Sequence, residues 1–190
     1  MGRHAKLSRE SILAGTIGLI ETSGAEAATV RGICGRLGVS EAAIYRYFAS
    51  KDDMTWQAYA RIVAGMVEEK RHLVDDPRPF RVKLREWVSL SYGFFDRHRE
   101  AFAYVLLSPP PPMAGSTKIV AAQGTLFRRM VARARAAGEI RDLPPELALS
   151  HFTGLMLNVP RLIRQGTLRG PAMRYLDEVA DAAWQVLRIR

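Results

Sequence analysis

Apolar residues recur along this 190-residue chain at spacings of three and four, and no stretch alternates apolar with polar residues for long enough to make a strand. That period commits the chain to helices whose apolar stripes must bury against one another. A first helix is expected from Ser8 as N-cap, with Ile12, Leu13, Thr16, Ile17 and Ile20 on one face, ending at Ser23-Gly24. Thr29 caps a second as far as Leu37, where Gly38 supplies the positive φ that stops a helix. Ser40 caps a third, Glu41 to Phe48, and Ser50 with Asp53 opens a fourth that runs to about Leu73. Asp75 to Pro79 breaks the chain. Further helices are expected over 80–97, 99–107, 116–137, 144–166 and 170–189, with the proline run from Ser108 to Pro112 as a loop. The expectation is an all-α chain of about nine helices, with a three-helix domain in residues 1–53 and a larger helical domain in 54–190.

Composition removes several function classes. Apolar residues make up 48% and charged residues 25%, the mix of a globular chain and not of a disordered one. The one cysteine, Cys34, cannot pair internally or build a cysteine-rich zinc site, and the four histidines (His4, His72, His98 and His151) lack metal-ligand spacing. No metal and no cofactor is therefore expected. No apolar run approaches the roughly 20 residues that cross a bilayer. Met1 to Lys6 leads straight into polar sequence, without the apolar stretch of a secretion signal. These observations point to a reduced, soluble, cytoplasmic protein. There is no phosphate-binding glycine loop, no nucleophile elbow and no zinc-protease motif, so the chain is expected not to be an enzyme. A helical enzyme is the alternative from a different class.

Net charge is +9, from 28 basic and 19 acidic residues, which favours a polyanionic partner without locating it. Residues 1–54 hold seven basic and six acidic side chains, so bulk charge does not mark the N-terminal part as the docking surface. Placement of individual residues does.

The informative stretch is Thr29 to Lys51, TVRGICGRLGVSEAAIYRYFASK. Two short helices meet at a tight reversal on Gly38, Val39 plugs the corner, and Cys34 is small enough for close approach. Ile44 and Phe48, four apart, face the core together, leaving Glu41, Ala42 and Tyr45 outward on a helix slim enough to enter a major groove.

This order of residues resembles the TetR family of bacterial transcriptional regulators, whose pattern reads roughly T-x-x-x-I-A-x-x-x-G-V-S-x-x-x-L-Y-x-[YH]-F-x-[SN]-K. The match falls on Thr29, Ile33, Gly38, Val39, Ser40, Tyr45, Tyr47, Phe48, Ser50 and Lys51. Cys34 replaces the usual alanine and Ile44 the usual leucine, and Ala42 and Ala43 stand where glycine and threonine are frequent. Ala43 thus lacks the hydroxyl through which that threonine meets a phosphate.

The resemblance implies an N-terminal helix–turn–helix domain that binds double-stranded operator DNA, followed by a ligand-binding and dimerisation domain. It places Arg31 at a guanine edge and Ala42 at a thymine methyl, while Glu41 fits either a cytosine amino group or plain solvent. Tyr45, Tyr47, Arg46 and Lys51 would contact phosphates, with Thr29 and Ser40 beside them; the alternative for Tyr47 is a place at the edge of the core. Arg3 and Lys6 fit a minor-groove arm or solvated terminal charges.

The C-terminal half shows two heptad-like seams suited to shallow helix packing, one of Ala148, Phe152, Leu155, Val159 and Leu162, the other of Met173, Leu176, Ala180, Ala183 and Leu187. Each helix also has a second apolar edge, Leu149, Met156 and Ile163 on one and Tyr175, Val179, Ala182 and Val186 on the other. The resemblance implies that one edge of each pairs with a second copy, giving a homodimer that reads a palindrome. The two seams, Ala148 to Leu162 and Met173 to Leu187, are the expected dimer interface; the alternative is that both edges pack inside one chain. An unidentified small-molecule effector is expected among Trp87, Phe94, Phe95 and Tyr104, with Phe127, Met130 and Met156 as further walls. His151 and Asn158 would be its polar anchors. Most of these wall residues are expected to be plain core, as an aromatic stripe at helical spacing usually is. Pro160, inside a helix, should kink it. The expected function is a ligand-released repressor; the alternative is a DNA-binding protein without an effector.

Overall fold

Side-chain caps set the first elements in the computed structural model, which describes residues 7–111 and 117–189. Ser8 and Ser11 form a reciprocal capping box that opens α1 (Arg9–Ser23), and Gly24 ends it at φ 81°. Thr29 accepts from the Gly32 amide to start α2 (Val30–Leu37), and Gly38 closes it in the left-handed region at φ 66°. Ser40 caps α3 (Glu41–Tyr45), which is shorter than its expected end at Phe48 because the chain loosens into turns at Arg46 and Tyr47. α4 (Lys51–Arg71) opens with Ser50 Oγ accepting from the Asp53 amide at 3.0 Å, while the Asp53 carboxylate accepts from the Ala49 amide at 3.0 Å.

Then follow α5 (Phe80–Arg97), α6 (Arg99–Phe102) running into a π turn (Ala103–Leu107), α7 (Thr117–Val120), α8 (Ala122–Ala136), α9 (Pro145–Arg164) and α10 (Leu176–Leu187). The expected single helix over 116–137 is interrupted at Ala121, which separates α7 from α8. Among the described residues there is no strand, only an isolated bridge between Ile140 and Arg188.

The chain divides into two compact units, Met1–Ile62 with Glu100–Ser116, and Val63–Arg99 with Thr117–Arg190. The first thus holds all of residues 1–53 and, in addition, the first half of α4 and the π turn. Its core joins Ile12, Ile20, Ile33, Ile44, Phe48 and Met54, all nearly inaccessible. α1 and α2 pack closely at Gly15, where an added Cβ would lie 2.8 Å from Leu37 Cδ2, so a glycine on α1 lets the two helices meet; Cys34 on α2 is half-buried. Trp56 stacks on Tyr59 at 5.3 Å, and Tyr104 meets Tyr59 edge-on at 5.7 Å.

In the second unit, Trp87 packs edge-on against Phe127 at 5.4 Å, and Phe127 stacks on Phe152 at 4.4 Å. α10 lies along α5, with Arg81–Asp181 and Arg85–Asp177 ion pairs across the seam at 2.8 and 2.7 Å. α9 continues through Pro160. Pro160 has no amide hydrogen, so the carbonyl of Met156 one turn back loses its helical partner. The buried Tyr92 hydroxyl donates to that carbonyl instead, at 3.1 Å.

Candidate nucleic-acid interface and regulatory core

α3 is held from beneath and presents its other side. Ile44 and Phe48 are buried, whereas Glu41, Ala42, Tyr45 and Arg46 are exposed and share one strip, with Tyr45 48% accessible. Ala43 is half-buried between these faces. Thr29 and Ser40 each accept from a helix amide, at 3.0 and 3.3 Å, which leaves each hydroxyl hydrogen available to donate outward. Arg31 on α2 and Lys51, the first residue of α4, are exposed, and Lys51 sits beside the first-turn carboxylates Asp52 and Asp53.

Tyr47 corrects an expectation. Its hydroxyl donates to the Leu7 carbonyl at 2.9 Å, so the phenol seals the edge of its own unit and is not presented to a phosphate. The sequence reading also missed Arg9. Its Nη1 donates to the Tyr47 carbonyl at 3.1 Å, its Nε to Gln57 Oε1 at 3.0 Å, and its guanidinium lies 4.9 Å from the centre of the Phe48 ring. Arg9 thereby ties α1 to the α3–α4 corner. Arg3 and Lys6 lie outside the described residues. Burial, and then the charge of Glu41, push the Cys34 thiol up, away from the reactive thiolate.

Of the expected effector walls, Trp87, Phe95, Phe127, Met130 and Met156 are buried in the second unit, and Phe94 is half-buried with its ring 5.0 Å from that of His98. Tyr104 belongs to the first unit, where its hydroxyl donates to the Thr55 carbonyl at 3.1 Å, and burial pushes its pKa up to about 12. Burial also raises Tyr92 well above the usual phenol range. His151 Nδ1 is buried with no hydrogen-bond partner among the described residues. Asn158 is exposed on α9 and lines a surface groove, so it is no anchor inside the aromatic core.

No sequence signal marked Lys70. It is fully buried near the end of α4, its Nζ 5.7 Å from the centre of the Trp87 ring and 3.3 Å from the Met66 carbonyl. Desolvation lowers its pKa to about 8, with the neighbouring Glu69 charge working in the other direction.

The expected dimer seams also need correction. Ala148 and Phe152 on α9, and Leu176, Ala180, Ala183 and Leu187 on α10, are buried inside the single chain, α9 lying chiefly against α8 and α10 against α5. Met173 is exposed in the 3₁₀ turn before α10. Leu155, Val159 and Leu162 remain half-buried. The first two line a groove of about 370 Å³ with Asn158, Tyr175, Val179 and Ala182. Part of the second apolar edge of α10, the half-buried Tyr175 and Ala182 with the buried Val179, thus borders this groove together with Leu155 and Val159 of the α9 seam.

This geometry can be set against known proteins. Residues 12–55 match the family described as bacterial regulatory proteins, tetR family. They form a tetR-type module. The relatives extend the likeness over the whole chain. The nucleoid occlusion factor SlmA of Marinobacter nauticus is 25% identical over 189 residues, covering 93% of this chain and 95% of that protein. The transcriptional regulator FadR of Bacillus subtilis, solved in complex with stearoyl-CoA, superposes with TM-score 0.79 at 16% identity, over 93% of this chain and 97% of that one. SmeT, the repressor of the Stenotrophomonas maltophilia multidrug efflux pump SmeDEF, gives 0.77 at 19% identity, over 98% and 93%. Beyond the tetR-type module, the chain therefore has the fold of tetR-family transcriptional regulators.

Proposed function

We propose that this chain is a cytoplasmic transcriptional repressor that binds palindromic operator DNA as a homodimer and lets go when a small molecule enters its second unit. The observation that carries the reading is the exposed strip on α3, a capped helix whose opposite side is fixed by Ile44 and Phe48, inside a tetR-type module. Arg31 and Ala42 would read base edges, Glu41 a cytosine, and Tyr45, Arg46, Lys51, Thr29 and Ser40 the backbone. Two copies joined through the outward α9–α10 groove would place two such strips on half-sites roughly 34–36 Å apart. Support for release by a ligand comes from the FadR structure, a like fold that holds stearoyl-CoA.

Constitutive DNA binding is the second reading, favoured by the close stacking of Phe127 on Phe152 in the centre of the second unit. A ligand library that shifts neither melting temperature nor DNA affinity supports this second reading.

Gel-shift titration on the DNA upstream of the gene, at several salt concentrations, tests the main proposal. Tyr45→Ala and Lys51→Ala, each removing a proposed phosphate contact, should weaken binding severalfold across sequences, Lys51→Ala also lowering the salt slope by about 1, while the protein stays folded. Unchanged affinity in both variants refutes the assignment.

A further inference from the structure

Lys70 presents a chemical imbalance. An ammonium has three hydrogens to donate, and this one, fully buried, has a single acceptor, the Met66 carbonyl of its own helix at 3.3 Å. Among the described residues no carboxylate is paired with it. A position that only had to fill space beside Trp87 would be served by the kind of side chain found at Met66 and Met130, both fully buried.

A second donor nearby is also poorly served. Gln123 Nε2 of α8 reaches the Met66 thioether at 3.6 Å, a weak acceptor. Two donors, one on α4 and one on α8, thus lean on the same methionine, Lys70 on its backbone carbonyl and Gln123 on its thioether, with little else to receive them. Val67, the next residue on α4, lines an open groove with Lys118, Ala121, Ala122, Thr125 and Leu126. Its walls are mostly apolar, its single charged lining residue is the cation Lys118, and no carboxylate lines it. A buried cation and a donor with so little to receive them complement an anion, and the apolar walls complement a hydrocarbon tail.

We propose that the groove between the second half of α4 and α7–α8 admits an amphipathic carboxylate, its tail on Val67 and Leu126 and its head turned inward to Lys70 and Gln123. The inference rests on the ligand-released reading above and gives that ligand a chemical class.

Isothermal titration of the full-length protein with decanoate, decanol and decylamine, each below its micelle concentration, separates the possibilities. Decanoate should bind at least tenfold more tightly than the other two. Lys70→Met should bring decanoate down to the level of decanol without weakening decanol. Gln123→Leu should lower decanoate affinity by a smaller factor. At pH 9, wild-type binding should take up a proton, seen as a dependence of the heat on the buffer's ionisation enthalpy, and Lys70→Met should abolish that uptake. Equal binding of the three probes, or a carboxylate preference that survives Lys70→Met, overturns the inference and leaves release by a ligand standing. Binding of none of them also overturns it, and DNA release by other compounds then decides the ligand-released reading separately.

Discussion

Lys70 carries its charge where water does not reach, and the consequence is a pH dependence of definite sign. Its folded pKa of about 8 lies below the roughly 10.4 of an unfolded lysine, so at pH 7 the ammonium is charged in both states and its burial cost is present in full. As pH rises through about 8 towards 10, the folded lysine gives up its proton before the unfolded one, and this cost is relieved. Above about 10, Tyr92 and Tyr104, which burial keeps protonated in the fold, ionise first in the unfolded chain and pull stability down. Lys70→Met is expected to stabilise the protein at pH 7 by about 1–3 kcal/mol, with a gap over wild type that narrows between pH 8 and pH 10. Urea unfolding of both proteins across that range measures the gap; a constant difference contradicts the depressed lysine. Nothing in the sequence announced Lys70, because one lysine near the end of an amphipathic helix reads as solvated until its neighbours are placed around it. The outward set of α3 was legible for the opposite reason: Ile44 and Phe48 fix the helix face locally. For Tyr47 the sequence left a phosphate contact and a core-edge place both open, and its partner, the Leu7 carbonyl forty residues away, was not readable.

At the scale of elements, the first four helix starts were readable because a cap is a local bargain between one hydroxyl and an amide within the next turn. Pro160 was readable as a missing hydrogen bond, but its remedy was not, since Tyr92 arrives from α5. The pair makes a quantitative prediction. Tyr92→Phe leaves the Met156 carbonyl buried without a donor and should cost about 1–3 kcal/mol. In a Pro160→Ala background, residue 160 regains an amide hydrogen that serves the same carbonyl, so Tyr92→Phe should cost about 1 kcal/mol less there. A double-mutant cycle by denaturant unfolding checks this, and strict additivity would refute the shared role. The α9 and α10 seams show where reading by element stops. Both helices have two apolar edges of similar quality, and which one is used inside the chain depends on α8 for α9 and on α5 for α10, whose paths no local pattern gives.

At the scale of the whole molecule, the outward edge defines what a second copy has to cover. Val159 lies in the α9–α10 groove and is half-buried in the single chain. On the proposed dimer it becomes central, so Val159→Asp should yield a folded monomer with helix content retained and operator affinity reduced at least tenfold. Sedimentation velocity and gel shift together read the outcome, and a persistent dimer would place the interface elsewhere. Charge is unevenly spread on this scale: residues 1–54 carry a surplus of one, and the rest of the chain carries the other eight.

The exposed strip of α3 has a consequence for how such a protein can change. Glu41, Ala42, Tyr45 and Arg46 lie outside the core, while the module is locked by the inward pair Ile44 and Phe48 and by the tight spot at Gly15. If the strip reads operator DNA as proposed, addressing and architecture are written in separate letters, and a lineage, or a designer, can revise the genomic address residue by residue while the scaffold that displays it stays untouched.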